Sequence, residues 1–184
     1  IQHQAADARL KIATRPEISE EPLVEDLLVQ ESTEAAFEDE TFESIMKGLA
    51  EHLGEDSDKW ALTGLLHDID FEEIGDDYKQ HGLKAMDYLS DVDEEILHAI
   101  KSHNFENTGV LPENKIDKAL IAADAVSGLV IACALMMPSK KLVDVKVESV
   151  ENKFKKKDFA RNCNRENMLY CEQIGIDKNK FFEI

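Results

Sequence analysis

Residues 119–137 read ALIAADAVSGLVIACALMM, nineteen residues carrying one charge, Asp124. So apolar a stretch either crosses a membrane or forms a helix covered on nearly all sides by a protein core. The neighbouring segments are amphipathic or charged and no second span accompanies it, so the core helix is the expected state. The choice then bears on Asp124. An ionised carboxylate in apolar surroundings must be paired, bind a metal or take up a proton. A structural hydrogen bond or a lysine partner would meet that need, and so would a metal shared with nearby imidazoles.

Histidines are at hand. His67, His81, His98 and His103 fall within 37 residues, on segments that lead into the Asp124 helix. Phe42, Ile45, Met46, Leu49, Ala50 and Leu53 recur with helical spacing, and Gly54 closes that helix. A second helix is predicted from an N-cap at Asp56 or Ser57 toward His67 and Asp68. A third is expected over Tyr78–Leu89, and a fourth from Asp91 or Asp93 with Ile96, Leu97 and Ile100 on its apolar face. On that phase His81 and His103 point inward, whereas His98 lies off the stripe and is expected at the surface. Neighbouring residues of a regular helix diverge by about 100°, so His67 and Asp68 share one centre only if the helix ends there.

Asn104–Pro112 has the composition of a loop, and a long helix is predicted from about Lys115 to Met137. Shorter helical patterns follow at Val147–Lys156 and Glu166–Ile174, and only Leu142–Val147 alternates with strand period. The expected fold class is therefore all-α, a helical bundle. Residues 1–37 form an acidic N-terminal arm, irregular or helical, and 38–184 the helical domain. With 43% hydrophobic and 33% charged residues, the chain has the composition of a folded globular protein.

The formal net charge is -18. Residues 1–44 hold twelve acids against three Lys/Arg, which accounts for half of it. Such a balance argues against partners that depend on phosphate neutralisation, so neither nucleic acid nor an anionic membrane is expected. From Pro138 to Arg161 the sign reverses, eight Lys/Arg against four acids. This stretch is either a solvated face or an aid in holding a small anion. Cys133, Cys163 and Cys171 form no CxxC pair, and no charged leader precedes an apolar run at the N-terminus. A cytoplasmic, reducing location is expected.

The stretches ALTGLLHDIDFE, HGLKAMDYL, ILHAIKSHN and ALIAADAVSGL, in this order, resemble the HD-domain superfamily of metal-dependent phosphohydrolases, in its small HDIG-type branch. The likeness runs from about Phe42 to Arg161. It implies a helical bundle around one or two divalent transition-metal ions (Fe, Mn, Zn, Co or Ni). Carried over by position, His67 and Asp68 match the HD pair, Asp124 the final aspartate, and His81 and His103 the intermediate histidines. The family's first histidine has no match; Glu38 stands near its place and would offer an oxygen ligand instead.

The implied chemistry is hydrolysis of a small phosphorylated molecule or nucleotide by metal-activated water. Asp68 would bind the ion, with Asp70 and Glu72 as candidate general acids or bases. Lys101, Lys140 and Arg161, with Lys141 and Arg165 beside them, are candidates for the substrate phosphate. Two rivals remain: a degenerate module that binds a ligand or partner without turnover, and a di-iron oxygenase. A homodimer is compatible with so apolar a helix.

Overall fold

The computed structural model describes residues 41–184, all within one compact unit, Ala35–Ile184. Among them are helices and turns and no strand. Helix α1 covers 41–53, and Gly54 ends it at φ +69°. Helix α2, Ser57–Leu66, is capped by Asp56, whose carboxylate accepts from the N–H groups of Asp58 and Lys59. One turn, α3, spans Phe71–Ile74; helix α4, Glu94–His103, starts from the Asp93 cap; and α5, Phe105–Thr108, is a single turn.

Helix α6, Lys115–Leu135, opens on a reciprocal capping box between Asn114 and Asp117. Helix α7, Val147–Phe154, follows, then two turns, α8 (Arg165–Met168) and α9 (Tyr170–Gln173), and a final helix α10, Lys178–Glu183. The last has no counterpart in the sequence reading. Leu142–Asp144 is a 3-10 turn and not a strand.

The apolar run 119–137 is the axis of the unit. Helix α6 packs against α2, α4, α7, α8 and α9. Leu49, Trp60, Leu120, Leu129, Met168 and Ile176 are among the buried residues of the core it shares with them. By length and composition α6 could cross a membrane. Here its apolar surface lies mostly against its neighbours, and each well-buried Leu or Ile contributes about 1.5–3 kcal/mol.

The expected helix over Tyr78–Leu89 does not form. Residues 77–83 are turns, and only Lys84–Asp87 winds, as a 3-10 helix. The cause is local. Gly82 sits at φ +83°, and a Cβ there would come within 2.6 Å of the Ile100 carbonyl oxygen. The segment thus lies directly on the α4 backbone, in a conformation open to glycine and strained for other residues. Its N–H groups at Gly82 and Ala85 donate to the Asp70 carboxylate and not to carbonyls one helical turn back.

Candidate metal centre

Helix α2 stops at Leu66, and His67 and Asp68 begin the turn beyond it. That ending lets adjacent side chains converge. A Cβ on Gly64 would lie 2.9 Å from the Phe42 carbonyl oxygen, so α1 crosses α2 closely and sets the Phe42 ring 4.1 Å from the His67 ring, centroid to centroid. The turn that replaces the expected third helix delivers His81, and the last residue of α4 is His103.

Each imidazole is anchored through Nδ1 to an acceptor outside the cluster. His67 Nδ1 donates to the Gly64 carbonyl at 2.6 Å, and His103 Nδ1 to that of Ile100 at 2.5 Å. His81 Nδ1 donates to Asp70 Oδ1 at 2.9 Å. In the neutral ring the proton therefore sits on Nδ1, and Nε2 presents a lone pair. These lone pairs face one another and a carboxylate. His81 Nε2 and His103 Nε2 are 2.9 Å apart. Asp68 Oδ1 lies 3.2 Å from His81 Nε2, 3.3 Å from His67 Nε2 and 3.8 Å from His103 Nε2.

Four acceptor atoms crowded in this way call for a cation, either a proton on His81 or a metal ion. Among the described residues His67 Nε2 is buried and has no hydrogen-bond partner. Neighbouring ligands of a first-row metal at about 2.1 Å lie roughly 3.0–3.4 Å apart in octahedral or tetrahedral geometry. Two of the four separations fall in that range, with the His81–His103 pair just below it and Asp68–His103 above. Asp68, His81 and His103 offer ligand atoms all within 4.8 Å of one another, and His67 joins through Asp68. Two or three imidazoles with a carboxylate suit such an ion.

The electrostatics agree at Asp68 and His103. Loss of hydration, the largest influence on Asp68, raises its pKa, but His67, His81 and His103 together outweigh it and hold the carboxyl well below the usual range. Burial pushes His81 down, yet the Asp68 and Asp70 carboxylates more than reverse this and raise it. Burial, reinforced by His67, lowers His103 to about 3. Without an ion the cluster thus favours an anionic Asp68, a neutral His103 and a proton on His81, and a metal would take that proton's place.

Asp124 corrects the sequence reading in one respect. It is exposed and not sealed in the core. Between Ile116 and Leu129 only Lys118, Asp124 and Gly128 escape burial, the last two one turn apart on the same side of α6. Surrounding atoms still strip enough water from the carboxyl to raise its pKa, with His67 pulling it down and Asp68 pushing it up. Asp124 therefore borders the cluster but is not one of the three groups within 4.8 Å. Glu38 lies outside the described residues.

Asp70 is also corrected. It is wholly buried, Oδ1 against His81 and Oδ2 accepting from the N–H groups of Gly82 and Ala85, both at 2.8 Å. An acid or base so enclosed has no path to substrate. Glu72 is exposed on α3. Lys101 is half-buried on α4, and Lys140 and Arg161 are exposed. Arg165 is engaged otherwise: its guanidinium donates to the carbonyls of Phe154, Phe159, Ala160 and Cys163, stapling the loop between α7 and α8. His98, expected at the surface, is half-buried with Nδ1 2.9 Å from Asp117.

Two contributors escaped sequence reasoning. Asn104 was read as part of a loop, yet its amide donates to the carbonyls of Tyr78 and His81 and holds the histidine's backbone. The Gly64 carbonyl orients His67. Neither left a signal of its own, since an amide in a loop and a backbone carbonyl are offered at many positions.

Residues 41–129 match the family described as HD domain. This segment is an HD domain. No curated protein and no solved structure matches the chain. HD domains bind divalent metals and belong to a superfamily of metal-dependent phosphohydrolases, and the His–Asp cluster occupies the matched segment.

Proposed function

We propose that the protein is a metal-dependent phosphohydrolase acting on a small phosphate ester or nucleotide. The observation that carries this reading is the convergence of the Nε2 atoms of His67, His81 and His103 on Asp68 Oδ1, each ring anchored through Nδ1 to an outside acceptor. His67, Asp68, His81 and His103 would hold the ion, with Asp124 at its edge.

When bound, the divalent metal supplies Lewis acidity, lowering the pKa of water and countering charge on the phosphoryl oxygens. The protein's own groups do the rest. Nδ1 anchoring keeps the three rings turned toward one point. The Asp68 side chain, 41% exposed, leaves an approach from solvent. Lost hydration raises the Asp124 carboxyl, and an ion bound beside it would favour the ionised form that can take part in holding the metal. Glu72, on the exposed side of α3, is the remaining acid–base candidate from the HD turn. Lys101, Lys140 and Arg161 are the candidates for the substrate phosphate.

Elemental analysis of protein purified without chelator, with phosphate release measured across nucleotides and sugar phosphates, tests the proposal. We expect one or two equivalents of a transition metal and turnover of at least one substrate. Asp68→Ala and Asp124→Ala should lose metal and activity while keeping the helical circular dichroism. Unchanged metal content in both variants would sink the assignment.

The enclosure of Asp70 favours one second reading, a module that binds a phosphorylated ligand without turnover, since it removes one of two expected acid–base groups. Metal at full stoichiometry with no hydrolysis on the same panel would select it. A cytoplasmic setting belongs to the proposal too, because Cys133, Cys163 and Cys171 are all free thiols.

A further inference from the structure

We propose that Asp70 is a positioning residue that fixes the tautomer of His81, so that the Nε2 lone pair faces Asp68 and His103. The proposal rests on the reading of the cluster as a metal centre.

The three imidazoles solve the same problem by two routes. His67 and His103 stand at helix ends, and each finds the carbonyl three residues back, Gly64 and Ile100, as the acceptor for Nδ1–H. Their tautomers follow from the helix. His81 lies on a turn, where the carbonyl three residues back, that of Tyr78, accepts instead from the His81 N–H and the Asn104 amide. A side chain takes that place, with Asp70 Oδ1 at 2.9 Å. A carboxylate only accepts hydrogen bonds, so the proton must sit on Nδ1. The same pairing of an imidazole with an outer carboxylate orients metal-binding histidines in general.

Asp70 itself cannot turn. Its side chain is wholly buried, and Oδ2 is held by the N–H groups of Gly82 and Ala85. Asn104 fixes the His81 carbonyl from the other side, so backbone and ring are clamped together. This architecture makes Asp70→Asn an informative change. Two backbone donors demand the amide oxygen at the Oδ2 position, which directs the amide NH2 at His81 Nδ1. The ring must then accept there and carry its proton on Nε2, aimed at Asp68. The backbone bonds survive, and the lone pair is lost.

Long-range 1H–15N spectra of histidine-labelled apo protein, recorded above the range of imidazole titration, read the tautomer directly. We expect His81 protonated on Nδ1 in the wild type and on Nε2 in Asp70→Asn. Zinc affinity, measured by competition with a chromophoric chelator, should weaken by about 10–100-fold in the variant. A wild-type His81 protonated on Nε2 overturns the proposal whether or not the variant folds. So does a folded Asp70→Asn protein with the wild-type tautomer and unchanged zinc affinity. Asp68→Ala separates the two readings. If the wild type binds zinc and Asp68→Ala does not while Asp70→Asn is unaffected, the metal centre stands and the role of Asp70 fails. If the wild type binds no zinc but Asp70→Asn moves the proton, the metal reading fails and the tautomer assignment stands.

Discussion

At the scale of single residues, the site depends as much on the atoms behind the histidines as on the histidines themselves. Gly82 is the clearest case. It joins His81 to the rest of its turn at φ +83°, with the Ile100 carbonyl oxygen 2.6 Å from where a Cβ would stand. Gly82→Ala adds left-handed strain and a backbone clash, together on the order of 2 kcal/mol or more. We expect a matching drop in the urea midpoint and a loss of metal affinity; an alanine variant as stable as wild type would show that the turn can move off α4. His103 was legible in the sequence because Ile96 and Ile100 fix its helical phase. His81 was placed inward on the same logic, yet it reaches the site from a turn. Apolar residues from Tyr78 to Leu89 imitate helical spacing, whereas the Asp70 carboxylate takes the N–H groups that a helix would need. Asp124 was legible as a charge that needs a reason, but not as an exposed one. Sequence shows how apolar a helix is, and only packing shows where its cover opens.

At the scale of elements, the short turn α3 and the 3-10 segment that follows are tied at the surface as well as beneath. Glu73 pairs with Lys84 at 3.1 Å, and its carboxylate is near enough to Tyr88 to act on the phenol. The Glu73 carboxylate beside it, aided by lost hydration, pushes the Tyr88 phenol up to about 12. The folded state therefore holds that proton more tightly than the unfolded chain, where phenol titrates near its usual value of about 10. The tie is fully present below the unfolded pKa and is lost as pH rises through the folded one. Absorbance titration should show one of the three tyrosines ionising late, and Glu73→Gln should return it toward its ordinary value. A late step that persists in the variant would remove Glu73 as its cause. Helices long enough to repeat their pattern, α1, α2, α4 and α6, were readable to within a few residues. The pieces α3 and α5 were not, since four residues hold too little pattern to reveal one turn, whereas α8 and α9 together fill the helical stretch expected over Glu166–Ile174.

At the scale of the whole molecule, helices α1, α2, α4 and α6 converge on the site, so ligand binding should be felt as global stability. An ion that binds only the folded chain adds about 2.7 kcal/mol at one hundred times its dissociation constant. Thermal unfolding should shift upward with zinc or manganese and return on chelation, and the shift should vanish in Asp68→Ala. A transition indifferent to metal in the wild type would place the cluster outside the folding equilibrium. The all-α class was readable from the spacing of apolar residues and from the single run 119–137. Which ends of which helices meet was not, because that depends on close crossings such as Phe42 over Gly64. The anchoring of every ring through Nδ1 also has a consequence for competition among ions. A frame built mainly of nitrogen donors has little to offer calcium, which seeks six to eight oxygens and tolerates wide, flexible cages. The most abundant hard cations would pass such a site by, and scarce, imidazole-seeking ions would be retained.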